Sequence, residues 1–312
     1  MGLFRKLCSL LFLYAALLGC SEEPGCDQDF FTPDVVRELA DTNTPESLLL
    51  ASVFAEWEFV QEKDPGVALP SSRYLRREAL RLAPYDEAIV AFISADCDPA
   101  QVEAEAIACT LDWATRLRDL DPDNGFYWAN LAHYQLSEGD TDAALESYRK
   151  AASSPLFSIG WGRQVYGLST ALQKALPASQ SCAIELGVGI AAANLPRFEG
   201  FIKSCREYSE QESWRDACLN LGSKIENEAL SLITRNIGFA MQKVVYEKEG
   251  DLERLEDVKA RQEQFHVLTN SQNDRIACLW KDAEARQEWL INILNYDEME
   301  TMRRMGEGAA EC

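Results

Sequence analysis

The chain has 312 residues, 30 of them basic and 51 acidic, with a formal net charge of −21 and a hydrophobic fraction of 47%. These values are typical of a folded globular chain and exclude wholesale disorder. The acidic excess argues against a nucleic-acid partner, because the phosphate backbone needs a basic face. The 2 histidines leave little room for a His-rich metal site, so neither a metal nor a cofactor is predicted.

Residues 1–19 have the features of an export signal. Basic residues at positions 5 and 6 precede a 12-residue apolar run without charge, from Leu7 to Leu18. This run is too short to cross a bilayer of about 30 Å comfortably, but it has the length of the apolar part of a signal peptide. We predict that residues 1–19 are removed on export.

The signal ends in Leu-Leu-Gly-Cys, residues 17–20. This stretch resembles the lipobox of bacterial lipoproteins, and the resemblance implies cleavage before Cys20 and acylation at Cys20, typically with palmitate. An ordinary secretory signal that happens to contain a cysteine is the alternative. Ser21 follows the cysteine, and by the same resemblance it favours the outer membrane, facing the periplasm. Because anionic lipid repels an acidic chain, membrane binding is expected to come from the lipid anchor.

Residues 20–44 are predicted to form a tether. The stretch contains few apolar residues, so we expect it to contribute little to a core. One short helix is predicted to begin near Thr32 and Pro33, because threonine is a suitable cap and proline suits the first helical position.

From Pro45 onward, apolar residues recur at helical spacing. Helices are predicted over residues 45–64, 74–82, 86–95 and 100–120. Prolines at positions 84, 122 and 155 follow them at intervals of 38 and 33 residues, which are typical of stacked helical hairpins.

Residues 125–155 resemble a tetratricopeptide repeat, a hairpin of two helices. Trp128 stands at the aromatic position of the first helix, and Ala144 and Tyr148 match the A-x3-F positions of the second. Gly139 lies where the hairpin turns. We expect Trp128 to be the buried centre of this hairpin and small alanines to let its two helices approach each other.

One good repeat and two degenerate ones are predicted to cover residues 45–155. By resemblance, one face of the first repeat helix lines a concave ligand groove. The groove residues implied are Phe126, Ala129, His133 and Leu136. The alternatives are a generic helical bundle with one accidental match, and a merely exposed polar side chain at His133.

Residues 156–312 are predicted to form a C-terminal helical bundle region. An irregular link precedes helices over 168–175, 179–194, 196–208, 212–249, 252–268 and 274–305, with a turn at 270–273. No stretch alternates with period 2 for long, so no substantial sheet is expected. The fold class predicted is all-α, with stacked helical hairpins like those of tetratricopeptide repeats followed by this bundle. The C-terminal half also resembles lipoprotein-like sequences of gammaproteobacteria through Cys218-Leu219, residues 233–242 and the turn at 120–124, and that resemblance implies no activity.

Eight cysteines remain after the signal and Cys20 are set aside, and an even number predicts disulfides in an exported chain. Candidate pairs are Cys205–Cys218, Cys97–Cys109 and Cys182–Cys278. Cys205 and Cys218 lie nearly symmetrically about a polar turn, so antiparallel helices would bring them together. The Cys97–Cys109 pair requires residues 98–103 to be non-helical. Several cysteines could instead be small buried apolar residues.

Two patterns that resemble catalytic or cofactor sites have simpler explanations. Residues 187–192 fit the letters G-x-G-x-x-A of a dinucleotide loop, but Pro196 leaves barely one helical turn after them, which favours a helix-packing face. Acid pairs are frequent in a chain this acidic and are expected to be solvated helix faces. The pairs considered are Glu56 with Glu58, Glu103 with Glu105, and Glu247 with Glu249. No catalytic residue is assigned.

The sequence therefore predicts a lipid-anchored cell-envelope protein that presents a helical-repeat surface for protein or peptide binding, without chemistry. The alternative is a periplasmic or cell-wall hydrolase that uses two carboxylates in a cleft between the repeat region and the C-terminal region.

Overall fold

The computed structural model describes residues 31–64, 66, 68–94, 110–175, 180–196, 198–280 and 282–308, without the side chains at 59, 87, 180, 273, 275–279, 307 and 308. These residues form fifteen α-helices, and no β-strand occurs among them. An isolated bridge joins Asn124 to Leu156. The predicted all-α class is confirmed, and the packing of helix on helix is that of stacked hairpins.

The helices of the first half are α1 (Pro33–Thr42), α2 (Pro45–Ala55), α3 (Glu58–Lys63), α4 (Ser72–Leu82), α5 (Glu87–Ser94), α6 (Leu111–Leu120), α7 (Gly125–Ser137) and α8 (Thr141–Ser153). Those of the second half are α9 (Trp161–Ala175), α10 (Gln180–Ala193), α11 (Glu199–Tyr208), α12 (Glu212–Glu228), α13 (Leu232–Glu249), α14 (Leu252–Leu279) and α15 (Ala283–Gly308).

The first helix begins where the sequence predicts. The Thr32 hydroxyl accepts a hydrogen bond from Val35 N, and proline occupies the start of α1. However, Val36 and Leu39 of this helix are buried in the main core at 1% exposure each. The helix is therefore part of the folded body, and residues 32–42 do not belong to a tether.

Helices α7 and α8 form the predicted hairpin. The Asn124 side chain caps α7 by accepting from Phe126 N, and Gly139 makes the turn with a φ of 82° that other residues rarely adopt. Alanines at positions 132, 144 and 151 are fully buried, so the two helices approach closely. Tyr148 fills the space beside them with 0% exposure.

Trp128 does not have the position that the sequence predicts. It is only partly buried, its Nε1 donates to Pro122 O at 2.8 Å, and the Arg118 guanidinium lies 4.7 Å from its ring. Trp214 of α12 occupies the centre instead, at 2% exposure, in contact with the rings of Tyr148 and Tyr208. The hairpin is therefore completed by a helix that lies far away in the sequence.

The glycine-rich stretch 187–192 lies inside α10, where it packs on α9. A Cβ added at Gly187 would lie 2.2 Å from Ser169 Oγ. Gly187 thus allows α9 and α10 to touch. The stretch is a helix-packing face, which the sequence favours over a dinucleotide loop.

The helix breaks of the second half differ from the prediction. The single helix predicted over 212–249 is two helices, because the chain leaves the helical path at residues 229–231. The turn predicted at 270–273 is wrong, since these residues continue α14. The last helix contains a kink at Asp297, whose φ of 61° and ψ of −175° are non-helical.

One apolar core extends from Phe31 to Met305 through both halves. Helix α2 packs on α9, and α8 packs on α12. The hairpin region and the C-terminal region therefore share their interior, and the packing does not divide at residue 155.

Candidate functional site

A cleft of about 390 Å³ lies between the N-terminal helices and the second half of the chain. Helices α1, α2 and α5 form one side, α9 forms the other, and Leu294 of α15 contributes at one edge. We call it the α1–α9 cleft. Its lining residues are Glu38, Leu39, Thr42, Thr44, Glu46, Ser47, Leu49, Asp86, Ala88, Ile89, Phe92, Arg163, Gln164, Tyr166, Gly167, Leu168, Thr170, Ala171, Lys174, Ala175 and Leu294.

One face of α9 supplies most of the second wall. Its cleft residues include Arg163, Gly167, Thr170 and Lys174, which recur at the three- and four-residue spacing of a single helix face. Gly167 lets α9 approach the opposite wall, since a Cβ added there would lie 2.8 Å from Cγ of Glu46. The cleft is thus narrow between Gly167 and Glu46.

Most polar groups on the N-terminal side serve the helices themselves. Thr44 Oγ1 accepts from Ser47 N at 3.2 Å, and Ser47 Oγ accepts from Thr44 N at 3.0 Å, so this pair caps α2 reciprocally. Asp86 Oδ1 accepts from Ala88 N at 2.9 Å and Ile89 N at 3.2 Å. These side chains are fixed by capping, which makes the wall rigid.

Gln164 differs from these residues. Its side chain is 4% exposed, and its Nε2 donates to Ile159 O at 3.3 Å. Its Oε1 has no hydrogen-bond partner among the described groups. An unpaired buried acceptor costs about 1–3 kcal/mol. Gln164 is among the residues that line the cleft, but its Oε1 is shielded from solvent, so a ligand donor reaches this oxygen only when the side chain turns toward the cleft.

The face that the sequence assigns to a groove is covered. Phe126 and Ala129 are buried, and the Phe126 ring lies 6.3 Å from that of Phe198, just before α11. His133 is partly exposed, with its imidazole against Gly200 of α11, and Leu136 is partly buried. The predicted open groove is therefore wrong, because α11 packs on this face.

Cys205 and Cys218 form the predicted disulfide, with Cα atoms 5.6 Å apart, between α11 and α12. Cys182 is also disulfide-bonded. Its predicted partner Cys278 has a side chain outside the description, so that pairing stays a prediction. Cys97, Cys109 and the lipidation site Cys20 lie outside the described residues as well.

Glu56, Glu58, Glu247 and Glu249, the described members of the acid pairs, are not among the residues that line the cleft. Glu56 pairs with Arg76 at 3.4 Å, and Glu249 pairs with Arg215 at 3.1 Å. Residues 103 and 105 lie outside the described residues. Three other carboxylates do line the cleft, those of Glu38, Glu46 and the helix-capping Asp86.

Among the described residues, the carboxyl group whose pKa is raised most lies outside the cleft. Burial, and then the neighbouring charge of Asp297, raise the pKa of Glu298 to about 8, against the opposing effect of a hydrogen bond from Leu232 N. Glu298 is not among the residues lining the cleft. The structure therefore separates the perturbed carboxyl group from the candidate binding site.

No protein-family model matches the chain, and searches of curated proteins and of solved structures return no match. Within the described part of the chain, no group of three or more His, Cys, Asp or Glu side chains is placed to hold a metal ion. None of the described helices combines the length and apolar character needed to cross a bilayer.

Sequence reasoning missed the α1–α9 cleft. Gln164 stands in an ordinary amphipathic stretch of α9, and the cleft that it lines is formed together with residues from four other segments of the chain. The apolar residues of α2 and α5 indicate that these helices are buried. They do not indicate that a cleft remains between these helices and α9.

Proposed function

We propose that this chain is a lipid-anchored protein of the cell envelope that binds a peptide or protein segment in the α1–α9 cleft without catalysing a reaction. We place the binding site in the cleft and not in the groove predicted on α7, because α11 covers that face of α7.

The buried acceptor Gln164 Oε1 is the observation that carries the proposal. Ligand sites are mostly apolar clefts with a few fixed polar groups. The cleft has this character, with partly exposed apolar side chains at Ala171, Ala175 and Leu294. A peptide offers the complement, since a backbone N–H group can donate to Gln164 Oε1 once that side chain turns into the cleft, while the peptide's apolar side chains contact these three residues.

The envelope location is supported by the cysteines and the N-terminus. Disulfides persist in oxidising compartments outside the cytosol, and the Cys205–Cys218 bond is buried between two helices. The lipobox-like residues 17–20 supply the anchor in this proposal. Stable anchoring requires more than one acyl chain, which the lipoprotein resemblance implies.

The anchor is tested by fractionating cells that express the full chain or a Cys20→Ala variant. We expect the parent in the membrane fraction and the variant as an uncleaved or soluble form. Cys8→Ala is the matched control, because it also removes a cysteine of the N-terminal stretch and should leave fractionation unchanged. Identical mobility and fractionation of the Cys20→Ala variant would exclude lipidation.

The cleft is tested with a photo-crosslinking amino acid at Thr170, which lines it. The same group at the exposed Glu146 of α8 is the control. In intact envelopes we expect an adduct of defined mass from position 170 alone, and mass spectrometry then identifies the captured peptide or protein. Equal labelling from both positions, or no adduct from position 170, would contradict binding in the cleft.

A further inference from the structure

Helix α4 differs in charge from the rest of the chain. Its sequence, Ser72–Leu82, contains four arginines and one glutamate and has a net charge of +3, whereas the whole chain carries −21. None of the other described helices has so positive a sequence. The helix is therefore a local exception to the acidic character of the protein.

The inner half of α4 attaches it to α2. Its buried residues are Leu75, Ala79 and Leu80. Arg76 also points inward, since its side chain is 15% exposed, its Nε donates to Ser52 Oγ at 3.2 Å, and its Nη2 lies 3.4 Å from Glu56 Oε2. One of the four arginines thus holds the helix in place, and the other three belong to its outer half.

The outer half combines arginines with large apolar side chains. Its exposed arginines recur at every fourth position, which is one side of a helix, and are Arg73, Arg77 and Arg81. Tyr74 and Leu82 lie beside them at 55% and 37% exposure, and Tyr85 follows the helix at 70% exposure. We call these six residues the α4 surface.

Two carboxylates that adjoin the α4 surface are engaged in other contacts. Glu78 Oε2 accepts from Arg81 Nε at 2.8 Å. Asp86 Oδ1 caps α5 by accepting from Ala88 N and Ile89 N. With Glu78 counted, the outer half of α4 retains a net charge of +2, so it attracts anions although the chain as a whole repels them.

We propose that the α4 surface docks on an anionic bilayer and thereby orients the anchored protein on the membrane. Helices that lie in the lipid–water interface combine arginines with apolar side chains, and tyrosine is enriched at that depth. Each cation near an anionic bilayer strengthens the contact about fivefold. Acidic groups farther from the bilayer than about 8 Å are largely screened at physiological ionic strength, so the local charge of α4 decides the contact.

The position of the N-terminal end of the described chain supports this orientation, in a step that rests on the anchor of the proposed function. The Phe31 ring lies 5.1 Å from that of Phe54 and 5.3 Å from that of Trp57, at the end of α2. Arg76 of α4 contacts the same end of α2. Cys20 lies 11 positions before Phe31, and such a stretch spans at most about 40 Å. An anchor at Cys20 thus keeps α4 within reach of the bilayer.

The test places a fluorescent aromatic amino acid at Tyr85 of the full chain. The protein is reconstituted into vesicles of phosphatidylcholine, with or without one-third phosphatidylglycerol, that carry a nitroxide quencher on their headgroups. We expect quenching in the anionic vesicles only, and its loss in about 1 M salt, where charges are screened beyond about 3 Å. The same amino acid at the exposed Glu146 of α8 is the control and should stay unquenched. Equal quenching at position 85 in both vesicles, or none, would overturn the proposal.

Flotation of the vesicles measures the anchor separately. An anchored chain floats with both lipid compositions. Flotation without quenching at position 85 would contradict docking of α4 and leave the anchor intact. Flotation with the anionic vesicles alone, together with quenching, would support docking and contradict the anchor, and a chain that floats with neither would contradict both.

Two matched triple variants assign the effect to α4. The first replaces the three arginines of the α4 surface and consists of R73Q, R77Q and R81Q. The second removes three exposed cations of α8 and α11 and consists of R149Q, K203Q and R206Q. Both lower the net charge equally, but we expect only the first to reduce the phosphatidylglycerol-dependent quenching, by about tenfold or more. Equal reductions would show that the overall charge and not α4 determines the contact.

An acidic protein is the other kind of partner that a basic surface suits. A photo-crosslinking amino acid at Tyr74 in intact envelopes distinguishes it from a bilayer. We expect adducts with phospholipid at this position. An adduct with a single protein, without lipid adducts, would overturn the proposal.

Discussion

The α7–α8 hairpin and the α12–α14 layer are held together by different forces. In the hairpin, fully buried alanines bring the helices together and Tyr148 fills the gap. The Ser147 hydroxyl of α8 also donates to Gln135 Oε1 of α7 at 2.7 Å. In the α12–α14 layer, Glu226 is nearly buried and bonds to both Arg261 and Gln242.

A second polar chain follows in the same layer. Gln262 Nε2 donates to Asn236 Oδ1 at 2.9 Å, and His266 Nε2 lies 2.8 Å from the same oxygen. The apolar contacts of the hairpin carry no charge for salt to screen, whereas the ion pair of Arg261 and Glu226 does. The comparison teaches that apolar packing holds the hairpin together, while hydrogen bonds and an ion pair add to the packing of the C-terminal layer.

The largest effect is expected at the aromatic residue that joins the two regions. Trp214→Ala should lower the free energy of unfolding by about 3–5 kcal/mol, because it empties a fully buried site against Tyr148 and Tyr208. Trp128→Ala, at a partly buried site, should cost about 1–2 kcal/mol. Urea denaturation of both variants measures the difference, and equal losses would contradict the assignment of Trp214 as the central residue.

The disulfide between Cys205 and Cys218 should contribute slightly less to the free energy of unfolding than Trp214 does. Its sequence separation is 13 residues, so the double variant Cys205→Ala/Cys218→Ala should lose about 3 kcal/mol on the chain-entropy model. Denaturation under non-reducing conditions measures this loss. Peptide mapping of the parent protein is the check on the bond itself, and free thiols at both positions would contradict it.

The polar contact of the C-terminal layer should have a smaller effect. Arg261→Met removes the cation that donates to Glu226, while the charge of Arg235 still acts on this carboxylate. Since Arg261 is 36% exposed, we expect a loss of about 2 kcal/mol rather than the larger cost of a fully buried pair. Adding Glu226→Gln should recover part of this loss, because the buried carboxylate charge that lost its hydrogen-bonded cation is then removed. Denaturation of both variants tests this, and a double variant less stable than the single one would contradict a charge effect.

The smallest change in stability is expected in the cleft. Gln164→Leu removes an unpaired acceptor but also the donor to Ile159 O, so these contributions should cancel to within about 1 kcal/mol. Thermal unfolding of the isolated protein measures it. A loss above about 2 kcal/mol would show that Gln164 is a structural residue of the core.

Features set by neighbouring residues could be predicted from the sequence. Thr32 and Pro33 begin a helix because capping and a fixed φ act within one turn. Cys205 and Cys218 were paired correctly because a short polar turn reverses the chain between them. The hairpin followed from its alanines and from Gly139, all within residues 125–155.

Features set by distant contacts could not be predicted. Glu298 and Met299, which lie about 70 positions further on, contact the break at residues 229–231. Its local signal is only the Ser231 hydroxyl, which caps α13 by accepting from Thr234 N. The polar run 270–273 contains no glycine or proline, so helix α14 continues through it. The groove face looked open because the sequence of α7 does not reveal that Phe198 and α11 cover it.

The central claim is that Gln164 is a ligand contact of the α1–α9 cleft, and crosslinking from position 170 in a Gln164→Leu background tests it most directly. We expect the adduct seen with Gln164 to disappear while the free energy of unfolding stays unchanged within about 1 kcal/mol. An adduct of equal yield and mass in both backgrounds, with the fold intact, would contradict it.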